Sequence, residues 1–235
     1  EIQNGSFARE WIVENKALLV IGSNTTEAHP VIALRMQEAV RRGAKLIVAD
    51  PRHIKLVDDA AIWLRHRPGS DAALINGLCH VIVRDDLADK AFIAERTEGY
   101  EAMAEAVAGC TPEWAEAITG VAAADIEAAA RLFAEAERAG IYYTMGITQH
   151  TSGTSNVLAL ANLALLTGNL GKPGAGLNPL RGQNNVQGGS DMGCNPLHMP
   201  GYQRVDDAEA RARGGAIWGQ TPKAEPGLTA TEMTQ

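Results

Sequence analysis

Cysteine is scarce: the 235 residues include only Cys79, Cys110 and Cys194. No CxxC spacing joins any two of them, which removes the usual zinc and iron–sulfur frameworks, and an odd total argues against a disulfide scaffold. A reducing compartment fits, and a cytoplasmic location is the expectation. Long apolar runs are also missing. A membrane-spanning helix needs roughly 18 uninterrupted apolar residues, and here Gly, Asn or charge breaks the best runs within about ten. Positive charge is in deficit, with 21 Lys and Arg against 28 Asp and Glu for a net −7. Bulk electrostatics therefore offers no attraction to nucleic acid or to an anionic membrane. The first residue is Glu1 rather than Met. Residues 1–16 lack the charged-then-apolar layout of a signal peptide, so the native N-terminus is expected to lie upstream.

What the sequence has is 46% hydrophobic residues in an alternation of short apolar runs and helix-period segments. Ala17-Leu18-Leu19-Val20-Ile21 reads as a strand that stops at Gly22-Ser23-Asn24-Thr25-Thr26. A helix is predicted from Pro30, with apolar Val31, Leu34, Met36 and Val40 and a stop at Arg41-Arg42-Gly43. Lys45–Ala49 is a second strand ending at Asp50-Pro51-Arg52, and residues 61–64 a third. Strands joined by a crossover helix make a parallel sheet with right-handed connections, so the predicted fold class is α/β, doubly wound and mostly parallel. Ser70 or Asp71 can cap a helix over residues 71–83. Residues 86–139 read as helical cover for the sheet, with a start at Thr111-Pro112-Glu113 and an Ala/Glu-rich helix over residues 123–139 stopped by Gly140. Ile141-Tyr142-Tyr143-Thr144 is a further strand, and residues 157–166 a helix ending at Gly168.

From Gly168 to Gly193 glycine recurs among Asn, Gln and Pro, and regular elements are not expected there. A long loop of amides rather than low-complexity charge points to a functional segment. Residues 206–213 read as a short helix, and residues 214–235 as the cut end of a larger protein. The expected organisation is a nucleotide-binding α/β domain over residues 1–170 and a Gly/Asn-rich active-site segment over residues 171–235.

Four strand ends present small or polar groups at the carboxyl edge of the predicted sheet, where open α/β sheets bind ligands. Asp50 is placed for a ribose or a purine edge, and Asn24 with the following helix start for a phosphate. The competing account is that these residues only form turns. NAD is not favoured, because Gly22-Ser23-Asn24-Thr25-Thr26-Glu27-Ala28 lacks the G-x-G-x-x-G pattern. Cys79-His80 is not a nucleophile and base, since neighbours in a helix diverge by about 100°; packing explains it better. His29, His53, His66, His150 and His198 show no H-x-H or H-x-x-x-H spacing, so no protein-ligated metal is expected. Arg181 is the sole cation of the run Pro179 to Gly193. Its guanidinium suits a small carboxylate through two parallel donors, although a structural pairing with Asp191 would account for it too.

Gly22-Ser23-Asn24-Thr25-Thr26-Glu27-Ala28-His29-Pro30, Met145-Gly146-Ile147-Thr148-Gln149, Leu166-Thr167-Gly168-Asn169-Leu170-Gly171-Lys172-Pro173 and Leu180-Arg181-Gly182-Gln183-Asn184-Asn185-Val186-Gln187-Gly188 closely resemble the catalytic subunit of molybdenum- or tungsten-dependent formate dehydrogenases. The first three segments are shared more loosely across molybdopterin oxidoreductases. The resemblance implies a bis(molybdopterin guanine dinucleotide) cofactor carrying Mo or W. Gly22, Asn24 and Glu27 would sit by the phosphate and ribose of one dinucleotide, Asp50 and Arg52 by its nucleoside, and Gly69 and Asp71 nearby. Met145, Gly146, Gln149, Gly182 and Gln183 would line the pterin side, and Arg181 would hold formate for oxidation to carbon dioxide. The family's [4Fe–4S] segment and its metal-ligating Cys or selenocysteine are not seen in this sequence. The chain is therefore expected to be an internal fragment, inactive alone, that works with the other domains of its subunit and with electron-transfer subunits. Another molybdopterin oxidoreductase and a non-catalytic nucleotide-binding module are the alternatives.

Overall fold

The computed structural model describes residues 11–229 and 232–234; most of the N-terminal stretch noted above for lacking a signal-peptide layout lies outside them. The chain divides into two compact units, Glu1–Gly182 and Gln183–Gln235.

The first unit is built on five parallel strands, β1 (Ala17–Ile21), β2 (Lys45–Ala49), β3 (Ile62–Leu64), β4 (Ala139–Tyr143) and β5 (Gly176–Pro179), in the order β3-β2-β1-β4-β5. β1 is central and buried along its whole length, which is why its sequence is continuously apolar rather than alternating. Leu18 and Val20 point to one face, where they pack with Leu46 and Val48 against Ile32 and Met36. Leu19 and Ile21 point to the other, against Leu74, Leu78, Ile126 and Leu160. Each such side chain, fully buried, contributes about 1.5–3 kcal/mol. The sheet is covered on both faces, as the predicted fold class requires.

The connections are helices α1 (Thr25–Ala28), α2 (Pro30–Arg41), α3 (Asp71–Arg84), α4 (Lys90–Arg96), α5 (Tyr100–Val107), α6 (Pro112–Thr119), α7 (Ala123–Ala134), α8 (Met145–Thr148) and α9 (Gly153–Leu166). Pro30 opens α2 and Gly43, at φ +99°, follows its end. Thr111 caps α6 by accepting from the Trp114 N–H at 3.2 Å. Three expectations need correction. Neither Ser70 nor Asp71 caps α3 through its side chain: the Ser70 hydroxyl donates to the Arg67 carbonyl at 2.6 Å, and Asp71 turns to His66. The helix expected over residues 123–139 ends at Ala134, and Gly140 lies inside β4 instead of stopping a helix. Ala139 and Gly140 pair with Ala17 and Leu18 of the central strand, and a Cβ at Gly140 would meet the Tyr142 ring at 2.8 Å. The glycine-rich segment is also not bare loop. Its residues 176–179 form β5, because the edge of β4 would otherwise leave its backbone groups unpaired.

The second unit holds α10 (Val186–Asp191), a two-residue antiparallel pair of β6 (His198–Met199) and β7 (Gln203–Arg204), and α11 (Ala208–Trp218). Asp207 caps α11 by accepting from the N–H groups of Glu209 and Ala210. Among the described residues no helix is long and apolar enough to cross a membrane.

Candidate functional site

After β3 the chain returns to the other side of β1, so β1 and β4 are neighbours whose connections leave in opposite directions. The crevice at their carboxyl ends is where an open α/β sheet takes its ligand. Backbone forms its floor. Gly22 adopts φ +57°, and a Cβ on Gly146 would lie 2.5 Å from the Gly22 carbonyl oxygen. That carbonyl accepts from the Gly146 N–H at 3.2 Å and from the Thr144 hydroxyl at 2.7 Å.

Over this floor opens a cleft of about 380 Å³. Gly22, Asn24 and Ala28 reach it from the loop after β1, and Asp50, Pro51 and Arg52 from that after β2. His66, Pro68, Gly69 and Asp71 follow β3, and Thr144, Gly146 and His150 follow β4. Asp50 is buried; its Oδ1 accepts from the Arg52 N–H at 2.8 Å, and its carbonyl accepts from Trp63 Nε1 at 2.9 Å. Arg52 is exposed, with Nε 3.6 Å from the same Oδ1.

Asp71 has the most unusual setting. It is 3% exposed, and its Oδ1 lies 3.0 Å from Nε2 of the equally buried His66. Burial pushes the Asp71 carboxyl up, but the hydrogen bond and charge of His66, its own backbone N–H and His150 outweigh it and hold it below the usual carboxylate range. Oδ2 is buried without a hydrogen-bond partner among the described residues. His150 Nε2 stands 4.0 Å from it and donates instead to the Gly146 carbonyl at 2.8 Å. An ionised oxygen with no donor is an acceptor awaiting one.

Of the residues singled out in the sequence, Gly22, Asn24, Asp50, Arg52, Gly69, Asp71 and Gly146 line this cleft. Glu27 lines a separate depression of about 410 Å³ with Gln37 and Lys55. Met145 lies beside Gly182, where a Cβ would meet its Cε at 2.5 Å, and Gln149 Nε2 donates to the Met145 sulfur at 3.2 Å. Arg181 and Gly182 close the first unit and Gln183 opens the second; all three are exposed. Within the second unit Asp191 accepts from Gln187 at 2.9 Å. Sequence reasoning missed His66, Thr144 and His150. The spacing of the histidines speaks only to metal ligation, and nothing in the sequence announces that a loop closes His66 onto Asp71. No group of three or more His, Cys, Asp or Glu that could hold a metal occurs among the described residues.

Residues 4–232 match the molybdopterin oxidoreductase family. The chain belongs to that family. It is 48% identical over 216 residues to the alpha subunit of a formate dehydrogenase of Methanocaldococcus jannaschii, covering 92% of this chain and 32% of that subunit. It is 46% identical over 223 residues to formate dehydrogenase H of Escherichia coli, covering 94% and 31%. The chain thus spans about a third of the length of these relatives. Among solved structures it resembles acetylene hydratase from Pelobacter acetylenicus, with a TM-score of 0.64 at 30% identity over 69% of this chain and 24% of that one. Membership of the family implies a molybdopterin cofactor with Mo or W. The residues that line the cleft are chemically compatible with a phosphate-bearing group. Bare backbone at Gly22, Gly69 and Gly146 can admit a phosphate closely, Arg52 supplies a cation, and Asp71 Oδ2, without a hydrogen-bond partner among the described residues, can accept from a ligand N–H or hydroxyl.

Proposed function

We propose that this chain is part of a formate dehydrogenase catalytic subunit, in which it holds one portion of a bis(molybdopterin guanine dinucleotide) cofactor and binds formate for oxidation to carbon dioxide. The observation that carries the reading is 46–48% identity to formate dehydrogenase subunits along 92–94% of the chain. When bound, the cofactor supplies a redox-active metal.

The chain's own residues bind and orient. Gly22, Asn24 and Gly69 receive the dinucleotide's phosphate and ribose with backbone and amide groups, and Glu27, in α1, faces the separate depression beside Gln37 and Lys55. Asp50 and Asp71 accept from the nucleoside, and Arg52 offsets phosphate charge. Met145, Gly146, Gln149, Gly182 and Gln183 line the pterin end. Arg181 offers formate a two-pronged guanidinium, which a Lys cannot reproduce. A [4Fe–4S] cluster, the metal's protein ligand and the electron-accepting subunits belong to the rest of the enzyme.

Two measurements test this. The complete subunit should reduce a dye with formate and release GMP and Mo or W on acid hydrolysis. Calorimetry on the 235-residue chain should find tighter binding of GDP than of NAD. Absence of GMP, or a preference for NAD, overturns the nucleotide reading, and turnover of another substrate in place of formate overturns the activity.

A further inference from the structure

Arg181 is exposed and follows the edge strand β5, in a stretch with no regular structure of its own. A guanidinium that must meet a one-carbon carboxylate has no remote substrate group to help it, so its backbone has to be fixed in advance. Three contacts converge on that backbone. The Leu180 N–H donates to the Tyr143 carbonyl at 2.8 Å, extending the β4–β5 pairing by one residue. Gly182 sits against the Met145 side chain. Between them, His29 Nε2 lies 2.5 Å from the Arg181 carbonyl oxygen. A carbonyl only accepts, so Nε2 carries the proton and donates.

His29 is a firm mount for that donor. It is the junction of α1 and α2, its N–H donating to the Thr25 carbonyl at 2.9 Å and its carbonyl accepting from the Ala33 N–H at 3.0 Å, with Pro30 fixing the next residue. Nδ1 is buried and has no partner among the described residues. The bond to Arg181, 152 positions away, is thus the ring's one hydrogen bond among the described residues. No helix or sheet ladder demands this contact.

We infer that His29 is a positioning residue for the substrate arginine: it holds the Arg181 peptide and couples the loop after β1, at the nucleotide end of the site, to the group that receives formate. This rests on the reading of Arg181 proposed above.

The test has two arms that fail separately. In the 235-residue chain, trypsin cleaves the Arg181–Gly182 bond, whose carbonyl His29 holds. His29→Leu should speed that cleavage by about fivefold relative to cleavage after the exposed Arg96, the scale of one hydrogen bond, while His29→Gln, whose amide can donate to the same oxygen, should stay within about twofold of wild type. No acceleration at Arg181, or equal acceleration at every arginine, overturns the contact. In the complete subunit, with metal and GMP content equal to wild type, His29→Leu should raise KM for formate by about fivefold with kcat little changed, and His29→Gln should restore it. A lowered metal content, or a Gln variant no better than Leu, overturns the positioning role. If Arg181→Ala leaves kcat/KM unchanged while the proteolysis result holds, the fault lies in the substrate reading of Arg181 and not in the His29 contact.

Discussion

Gly146 faces Gly22 so closely that its N–H donates to the Gly22 carbonyl at 3.2 Å while a Cβ would lie 2.7 Å from the Gly22 Cα. The two residues follow the ends of neighbouring strands β1 and β4, at the point where the chain reverses its direction across the sheet. Their contact ties the β1 and β4 loops together and leaves peptide groups, rather than side chains, under the cleft.

Gly146→Ala should therefore be costly. The added methyl meets backbone that cannot rotate away, and overpacking of this kind costs about 1–3 kcal/mol. Gly69 also lines the cleft at φ +81°, but a Cβ there meets nothing within 4 Å. Gly69→Ala should lose only about 1–2 kcal/mol, from the left-handed backbone. Urea unfolding of both variants checks the order; a Gly146→Ala protein as stable as wild type would mean that the loops are not in contact.

Asp71 sets an acid-side dependence. Its folded carboxyl is held below the ordinary value of 3.8, so its contribution is fully present above that value and is lost as pH falls through the folded one. Asp71→Asn should cost about 1–3 kcal/mol at neutral pH, because the buried His66 loses a charged partner. The difference between variant and wild type should shrink below about pH 4. Stability curves measured from pH 7 to 2 decide this, and a constant difference across that range would contradict it.

Arg181→Ala in the complete subunit should lower kcat/KM for formate by roughly ten- to 150-fold, the worth of a charge-assisted hydrogen bond to a carboxylate of about 1.5–3 kcal/mol. Arg181→Lys keeps the charge, loses the fork, and should fall between. Metal content should not move. Loss of metal in either variant would make Arg181 a structural residue.

The cysteines should separate cleanly on alkylation. Cys194 is exposed, whereas Cys79 is buried with its thiol pushed up to about 12 by burial and by nearby Cys110, whose own thiol burial also raises. Mass spectrometry of the native protein treated with iodoacetamide at pH 8 should find label at Cys194 alone, and at all three only after unfolding. Early label on Cys79 would reopen a reactive role for Cys79-His80.

The central strands were legible because burial on both faces leaves an unbroken apolar run: β1 and β2 stand where Ala17–Ile21 and Lys45–Ala49 predict them. Pro30 and Gly43 mark the ends of α2 for local steric reasons that operate in any context. Gly140 misled for the same reason in reverse, since glycine after an alanine-rich helix reads as a stop until a partner strand is present. β5 was hidden because Gly176-Leu177-Asn178-Pro179 has no strand propensity of its own and acquires its conformation by pairing with β4.

The sequence by itself determined which residues stand at the strand ends, because strand length and turn chemistry are local, and so Gly22, Asn24, Asp50, Arg52, Gly69, Asp71 and Gly146 could be named before any contact was known. Only the tertiary structure decided which strand end faces which. Strand order depends on the pairing of distant segments, Ala17 with Ala139 among them, and no local signal states that β4 returns beside β1. The same holds for His66 closing on Asp71, for the bare Oδ2 it leaves, and for His29 reaching Arg181: a hydrogen bond fixes its partners by position in space, and the spacing of letters along the chain does not encode it.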